Sequence, residues 1–223
     1  MKRAIPPRSA RRDPSQRGAS RRNPERNRGR ILAAALEEFS RFGLGGARVD
    51  RIAARAGANK RMLYYYFGNK EDMFLAVLES RYEHIRRAEQ GLRLGDLDPR
   101  QGMRRLIAFT WNYYLQHPEF LTLLNSENLH RARHLQRSRQ IAAMNSPLVE
   151  MLRDLLTRGV QKGQFRRGVD PVQLYISIAG LGYFYLGNRH TLSTIFERDL
   201  LAPRSKAERL KHMTALVLGY LRE

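Results

Sequence analysis

The sequence predicts an all-α protein with two domains: a small unit of three helices near the N-terminus, then a larger helical domain. Apolar residues recur at intervals of three and four through most of the 223 residues, which is the spacing of amphipathic helices. Prolines, glycines and capping residues divide this pattern into segments of helix length. No region is rich in predicted strands, so an α/β or all-β fold is not expected.

Residues 1–23 precede the first helix and are rich in Arg, Pro, Ser and Gly. Such a segment buries too little apolar surface to offset the entropy lost on ordering, so it is predicted to be a disordered basic arm. Its arginines would either follow a nucleic-acid backbone or enter a minor groove, or have no role at all.

The first helix is predicted from Pro24 to about Phe42, because proline is favoured at a helix start and a run of glycines begins at Gly43. Arg28 and Arg30, near its N-terminus, are placed to contact phosphate. The apolar face expected to form the core of the first domain comprises Ile31, Leu32, Ala35, Leu36 and Phe39.

Two short amphipathic helices follow, joined by a tight turn. Gly57 ends the first of them, and Asn59 caps the second. This is the helix-turn-helix pattern, whose second helix enters the major groove of DNA, so residues 24–68 are predicted to be a DNA-binding domain. The apolar positions at helical spacing are Ile52, Ala53 and Ala56, then Leu63, Tyr66 and Phe67.

The second short helix leaves an exposed face that suits DNA. Cations and phenol hydroxyls offer hydrogen-bond donors to phosphate oxygens and base edges, and the major groove admits long side chains. The side chains on this face are Lys60, Arg61, Met62, Tyr64 and Tyr65.

The same segment resembles the DNA-binding domain of the TetR family of bacterial transcription regulators, whose pattern is close to IAxxAGVSxGTLYxYFxxKExL. The matching residues are Ile52, Ala53, Ala56, Gly57, Leu63, Tyr64, Tyr66, Phe67, Lys70 and Glu71. The resemblance implies that Lys70, which opens the following helix, contacts phosphate.

Two departures from the family pattern concern the contacts with DNA. Asn59, Arg61 and Met62 stand where the family usually has Ser and Gly-Thr, so the operator sequence does not carry over. Arg48 replaces a common threonine and would contact phosphate more strongly. The predicted DNA-binding residues are therefore Arg48, Asn59, Lys60, Arg61, Met62, Tyr64, Tyr65 and Lys70.

The net charge of +20 supports a polyanionic partner. Residues 1–68 carry 17 basic and 5 acidic side chains, a net charge of +12, and the remaining 155 residues carry a net charge of +8. The excess positive charge is thus concentrated beside the helix-turn-helix, as a phosphate-binding surface requires. Solubility alone would not require one sign of charge at one end.

From Asn69 onward the helices are longer, and residues 69–223 are predicted to be an effector-binding and dimerisation domain, as the resemblance implies. A helix from Pro99 to His117 has a continuous aromatic and aliphatic face. That face lines a hydrophobic cavity for a small molecule or is plain core. The candidate effector-binding residues are Met103, Ile107, Trp111, Tyr114, Asn125, Asn128, His130 and Tyr183.

Residues 125–134, NSENLHRARH, form a polar passage within this apolar domain. If the passage is helical, Glu127, His130 and His134 share one face, where they are candidate ligands for zinc or a similar ion. A polar clamp for an organic effector and a solvated helix face are the alternatives, since no metallohydrolase motif surrounds these residues.

The C-terminal segments predict three further helices, capped in turn at residues 145–147, at Asp170 and at Ser205. The second of these, from Val172 to about Arg189, has two apolar faces, which suggests a subunit interface. In the TetR family the last two long helices pair with their twins, so the resemblance implies a homodimer. Residues in and around 118–135 are also similar to TetR-type regulators of aromatic or N-heterocycle catabolism, which makes an aromatic effector one possibility.

The sequence predicts a cytoplasmic transcription regulator, in the form of a repressor that binds a palindromic DNA operator as a homodimer and is released by a small-molecule effector. It contains no cysteine, no apolar run of membrane-spanning length and no GxSxG, P-loop or GxGxxG motif, so no cofactor, no membrane partner and no enzyme activity are expected. Two alternatives remain: a metal-dependent helical enzyme using Glu127, His130 and His134, and a non-specific DNA-packaging protein.

Overall fold

The computed structural model describes residues 24–222, except for the side chains at positions 142 and 144–146, and within this range the chain forms ten α-helices and no strand. The all-α prediction is confirmed. The predicted arm, residues 1–23, lies outside the described residues. The helices are α1 Pro24–Gly46, α2 Val49–Ala56, α3 Lys60–Phe67, α4 Lys70–Gln90, α5 Pro99–Gln116, α6 Pro118–Leu129, α7 Arg139–Gln161, α8 Pro171–Gly187, α9 Arg189–Ile195 and α10 Pro203–Tyr220.

An N-terminal core joins α1, α2 and α3 to the first half of α4. Ile31, Phe39, Ile52 and Leu63 are fully buried in it. α6 also contributes, since its Leu123 is completely buried in the same cluster. The domain boundary after residue 68 stays a prediction, because α4 and α6 take part in this core as well as in the C-terminal one.

A second core fills the C-terminal part of the chain, where α5 packs against α7, α8 and α10. Its largest side chain is that of Trp111, which is 1% exposed. Ring contacts extend from it, since Trp111 and Tyr185 of α8 meet edge to face with centroids 5.5 Å apart. No helix among residues 24–222 is long and apolar enough to cross a membrane.

The helices differ from the sequence predictions at several points. α1 continues beyond Phe42 to Gly46 through a kink at Gly43, whose φ of 62° places it in the left-handed region, and the buried Leu44 holds the extra turn. α9 was not predicted at all. α10 begins at Pro203, while the Ser205 hydroxyl donates to the Asp199 carbonyl oxygen instead of capping the helix.

The predicted cap at residues 145–147 is wrong. α7 begins six residues earlier, at Arg139, and contains Pro147 in its interior. Ser138 provides the cap, because its Oγ accepts a hydrogen bond from the Ile141 N–H at 3.3 Å. A proline inside a helix removes one backbone hydrogen bond, and the earlier cap and the buried Ile141 side chain offset that loss.

Candidate DNA-binding surface and effector domain

The turn between α2 and α3 depends on a left-handed glycine. Gly57 has φ 55° and ψ 41°, and the Ala58 N–H returns to the Ala53 carbonyl oxygen at 3.0 Å. The Arg30 guanidinium of α1 donates to the carbonyl oxygens of Ala56 and Gly57. Arg30 therefore holds the C-terminus of α2, a role different from the phosphate contact expected of it, and this fixes where α3 begins.

α3 is attached to the core through one face and presents the other to solvent. Leu63 and Phe67 are buried, and the Asn59 side-chain oxygen caps the helix by accepting from the Met62 N–H at 2.9 Å. Met62 is half-buried and packs against the N-terminal core. Asn59 is thus a capping residue as well as a candidate contact. The side chains that remain exposed are Lys60, Arg61, Tyr64 and Tyr65.

The exposed face of α3 combines positive charge with phenol hydroxyls. Tyr65 is 82% exposed and Tyr64 46% exposed. The Lys60 ammonium lies 2.5 Å from the carboxylate of Asp50 on α2, so part of its charge is already paired. The Arg61 guanidinium has no partner among residues 24–222 and is the cation of this face most available to DNA.

A second pair of cations lies at the N-terminus of α2. The Lys70 ammonium is 3.4 Å from the carbonyl oxygen of Ala47, the residue immediately before Arg48. The exposed Arg48 guanidinium makes no hydrogen bond with any described residue. Because a helix N-terminus also favours anions, Arg48 and Lys70 form a coherent candidate site for a backbone phosphate beside the recognition helix.

Glu38, which the sequence interpretation missed, organises the α1–α2 contact. Its side chain is completely buried, and its carboxylate accepts hydrogen bonds from the Arg48 N–H at 3.0 Å and from the Arg51 guanidinium at 2.6 Å. Burial opposes ionisation, but these donors together with Arg55 outweigh it and lower the pKa of Glu38. The signal in the sequence was a carboxylate adjacent to Phe39 on the apolar stripe of α1.

The aromatic stripe of α5 lies inside the C-terminal core. Met103 and Ile107 are 0% exposed, and Trp111 and Tyr114 are 1% and 4% exposed. The Tyr114 and Phe120 rings stack with centroids 6.2 Å apart. The four candidates do share one face, and that face is filled by neighbouring side chains in this conformation.

The polar effector candidates are divided between two places. The Tyr183 hydroxyl donates to the Asn125 side-chain oxygen, which links α8 to α6. Asn128 is exposed, and its amide donates to the carbonyl oxygen of Leu124 in its own helix. The structure therefore brings Asn125 and Tyr183 together but does not place Asn128 beside the α5 stripe.

The passage that holds Glu127, His130 and His134 is not one helix. α6 ends at Leu129, and Arg131 and Ala132 have φ values of 56° and 57°, so the premise of a single helical face is wrong. His134 Nδ1 lies 2.6 Å from the Glu127 carboxylate, with both side chains buried. His130 Nδ1 instead faces the Ser126 carbonyl oxygen at 2.7 Å.

Glu127 folds the connection between α6 and α7. One of its carboxylate oxygens accepts from the backbone N–H groups of His134 and Leu135, each at 2.9 Å, and the His134 ring meets Phe74 of α4 edge to face. Across residues 24–222, no group of three His, Cys, Asp or Glu side chains is arranged to hold a metal ion. The arrangement supports a structural role for Glu127 and His134.

α8 and α10 line an open apolar groove of about 530 Å³. Phe184 of α8 is 59% exposed, and Leu216 and Tyr220 of α10 are 46% and 50% exposed. Large apolar side chains exposed on two adjacent helices mark a surface for association, and these are the helices predicted to form the dimer.

Two family descriptions match separate parts of the chain. Residues 31–77 match the family described as bacterial regulatory proteins, tetR family, and residues 99–217 match the tetracyclin repressor-like C-terminal domain. The chain is 42% identical over 205 residues to the HTH-type transcriptional repressor NicS of Pseudomonas putida, and the match covers 92% of this chain and 97% of that relative.

Solved structures share the fold. SCO4942 from Streptomyces coelicolor superimposes with a TM-score of 0.64 at 26% identity, over 87% of this chain and 98% of that one. AibR in complex with isovaleryl coenzyme A and operator DNA superimposes with the same TM-score of 0.64 at 19% identity, over 86% of this chain and 97% of that one.

Proposed function

Because this chain belongs to the TetR family, we propose that it is a homodimeric transcriptional repressor that binds a palindromic operator and is released from it by a small-molecule effector. The proposal rests most directly on α3, a helix fixed to its core by Leu63 and Phe67 that presents cations and phenol hydroxyls to solvent. Two such helices, related by a two-fold axis, would read half-sites about one helical turn or a multiple apart.

The phosphate contacts are proposed for Arg48 and Lys70, and base-edge contacts for Arg61, Tyr64 and Tyr65. Lys60 and Asn59 contribute at the edge of the same face, since one is paired with Asp50 and the other caps α3. Met62 is proposed as a packing residue with only partial access to DNA, because it is half-buried.

A repressor role agrees with NicS, which is named a transcriptional repressor, and effector control agrees with AibR, whose structure holds both isovaleryl coenzyme A and operator DNA. The effector would bind the C-terminal domain and favour a state with a different spacing of the two α3 helices. Action in the cytoplasm and the lack of an enzyme activity are part of the same proposal.

The test is binding of the full-length protein to the DNA flanking its own gene, measured against random DNA over a range of salt concentrations. Phosphate contacts make both affinities fall with salt, so the ratio of specific to random binding is the quantity that distinguishes a sequence-specific regulator from a packaging protein. We expect a ratio of about 10³ or more. Equal affinity for flanking and random DNA at every salt concentration would favour the packaging alternative.

A further inference from the structure

Four exposed arginines lie between the end of α6 and the first residue of α7. They belong to residues 130–139, HRARHLQRSR, a stretch without an acidic residue that we call the arginine segment. It lies outside the helix-turn-helix, and none of the residues assigned above to DNA binding belongs to it. Its arginines are Arg131, Arg133, Arg137 and Arg139.

The arginine segment is folded against the DNA-binding part of the chain. The buried Glu127 carboxylate accepts from the backbone N–H groups of His134 and Leu135, and the Leu135 side chain packs against the N-terminal core. At the end of the segment, the Ser138 hydroxyl donates to the Glu79 carboxylate of α4 at 2.6 Å. The arginines are therefore carried by a backbone that is fixed beside α4.

Two of the arginines meet the first turn of α4, next to Lys70. The Arg133 guanidinium lies 3.0 Å from the Glu71 carboxylate, and the Arg137 guanidinium pairs with Asp72. At least one side chain of each pair is more than half exposed, and ion pairs in contact with solvent contribute little to stability. Stability therefore does not account for the cluster of arginines at this place.

Electrostatics gives the arginine segment a role at the DNA surface. Lys70, proposed above to contact phosphate, is followed directly by Glu71 and Asp72, and two unpaired carboxylates there would repel DNA. Arg133 and Arg137 neutralise them through the two ion pairs.

The remaining two arginines add charge of their own. Arg131 and Arg139 are exposed, and no described residue forms a hydrogen bond or an ion pair with either guanidinium. Together with Lys70, the arginine segment has five positive side chains against the two carboxylates of α4, so an excess of three positive charges per subunit lies beside the recognition helix.

We propose that the arginine segment binds the phosphate backbone of duplex DNA next to the phosphate contacted by Lys70. This inference rests on the proposed function and adds a DNA contact from a part of the chain outside residues 24–68. The planar guanidinium suits phosphate oxygens, because it can donate two parallel hydrogen bonds to them. Such contacts raise affinity and set the position of the protein without reading the sequence of bases.

Two single variants that break the same ion pair give the sharpest test. Arg133→Gln removes a positive charge and leaves Glu71 unpaired, whereas Glu71→Gln removes a negative charge and frees Arg133. A purely structural link would make both variants change DNA affinity in the same direction. Phosphate binding predicts opposite directions: Arg133→Gln should weaken binding and Glu71→Gln should strengthen it, each by about threefold or more.

A second test counts the charges that reach phosphate. Fluorescence anisotropy of the full-length protein is measured over a salt series on duplex DNA flanking its own gene and on random duplex DNA. The double variant Arg131→Gln with Arg139→Gln should lower the slope of log affinity against log salt by about one for each contact removed, up to about four per dimer. Lysine at both positions should restore most of the slope, because it keeps the charge.

The matched control removes two exposed cations from another face of the molecule. Arg104→Gln with Arg105→Gln changes α5, whose start lies at the opposite end of α7, where Arg158 donates to the Leu97 carbonyl oxygen. That end is roughly 30 Å from Arg139 along the helix. The control should keep the wild-type slope.

The proposal is overturned if Arg133→Gln and Glu71→Gln shift the affinity in the same direction, or if the Arg131 and Arg139 double variant keeps the wild-type slope. Thermal unfolding shows whether each variant is folded. If an arginine variant fails to fold, Glu71→Gln alone tests the proposal: tighter DNA binding supports it, and unchanged or weaker binding rejects it.

The two DNAs separate this proposal from the repressor function. Specific binding of the wild type to flanking DNA, with unchanged slopes in the arginine variants, would support the repressor and reject the role of the arginine segment. Equal binding of the wild type to flanking and random DNA, with lower slopes in the arginine variants on both, would support the arginine segment and count against the repressor, since phosphate contacts do not depend on base sequence.

Discussion

Arg48 directly precedes α2, and Lys70 opens α4 with its ammonium beside the Ala47 carbonyl oxygen, but the two cations differ in what surrounds them. The Arg48 guanidinium is exposed, whereas the Lys70 ammonium already approaches the Ala47 carbonyl oxygen at 3.4 Å. That carbonyl holds the lysine side chain in place before DNA arrives, which reduces the entropy lost when a phosphate is bound. Lys70 should therefore contribute to operator affinity although its position on the surface is not prominent.

Replacing Arg48 or Lys70 by alanine should weaken operator binding and lower the slope of log affinity against log salt by about one for each phosphate interaction removed. Fluorescence anisotropy over a salt series measures both quantities. Arg104→Ala, which removes an exposed cation on α5, is the matched control and should leave the slope unchanged. An unaltered slope in both test variants would contradict the assignment of Arg48 and Lys70 to the DNA-binding surface.

Glu38 makes the stability of the N-terminal core depend on pH. Because its pKa is lowered in the folded protein, its contribution is complete above the carboxyl value of the unfolded chain, about 4.3, and is lost as pH falls through the folded value. Glu38→Gln should cost about 2 kcal/mol at pH 7, since hydrogen bonds to a charged group weaken. The measurement is urea denaturation at pH 7 and at successively lower pH.

The difference between wild type and Glu38→Gln should begin to shrink as the pH falls below the carboxyl value of the unfolded chain, about 4.3, and should be smallest once the pH has passed the lowered pKa of the folded protein, where the wild-type carboxyl is also protonated. Glu37→Gln is the control at the neighbouring exposed position, whose side chain is 66% exposed. A Glu38 effect of constant size across the whole pH range would show that shape, and not charge, accounts for it.

Side-chain positions in the helix-turn-helix were largely predictable, because burial of Leu63 and Phe67 follows from spacing and leaves the opposite face exposed. The roles of Glu38 and Arg30 were not predictable. Both depend on contacts across more than nine residues of sequence, with the backbone of α2 as the partner, and periodicity carries no information about such contacts.

α2 and α3 are short, eight residues each, so their arrangement depends on the turn between them more than on helix propensity. A side chain at Gly57 would meet two obstacles. Its backbone would remain in the left-handed region, and its Cβ would lie 2.7 Å from the Arg30 guanidinium that holds the end of α2.

Gly57→Ala should destabilise the protein by about 1–2 kcal/mol and weaken operator binding more than that destabilisation explains, because α3 is displaced. Thermal unfolding measures the loss of stability, and fluorescence anisotropy measures the loss of operator affinity. Gly29→Ala is the matched control, since Gly29 is helical with no atom within 4 Å of an added Cβ, and it should be neutral or slightly stabilising. Equal effects of the two substitutions would contradict the assigned role of the turn.

Helix caps explain which elements the sequence predicted well. Asn59, Asn69 and Asp170 cap α3, α4 and α8 as expected, since each is followed directly by a helical pattern. The start of α7 was missed because Pro147 is normally read as a helix beginning, and the alternative cap at Ser138 precedes it by nine residues. The polar passage after α6 was misread because Arg131 and Ala132 adopt left-handed conformations without a glycine to signal them.

At the scale of the whole molecule, the α8–α10 groove is where two copies are proposed to meet, and it exposes the apolar side chains of Phe184, Leu216 and Tyr220. Phe184→Arg would place a charge in the centre of the α8–α10 surface and should convert the dimer to a monomer. Operator affinity should then fall by about 10²-fold or more, because two half-sites are no longer bound together. Light scattering gives the oligomeric state. Leu129→Arg, at a site 84% exposed on α6, should remain dimeric, and a dimeric Phe184→Arg protein would locate the interface elsewhere.

The division of the chain into two domains was predicted from changes in the spacing and length of the helical segments. Such a pattern cannot show the contacts that α6 makes with the N-terminal core. Leu123 of α6 fills the N-terminal core, and the Ser126 hydroxyl oxygen accepts a hydrogen bond from the Leu44 N–H at 3.1 Å. The second of these contacts spans 82 residues of sequence. No local signal distinguishes Leu123 from the apolar residues of α6 that face the other core.

The place of α6 in the N-terminal core bears on how this protein can be recombined with its relatives. A chimera joined at residue 68 would combine this DNA-binding domain with the C-terminal domain of a relative. The N-terminal core would then lack Leu123, and the relative's α6 would supply a side chain that had evolved to pack against a different core. Chimeras made to exchange effector specificity between such regulators should therefore fold more often when α6 and the DNA-binding domain come from the same parent. In this protein the segments that should be transferred together, the DNA-binding domain and α6, are therefore separated along the chain.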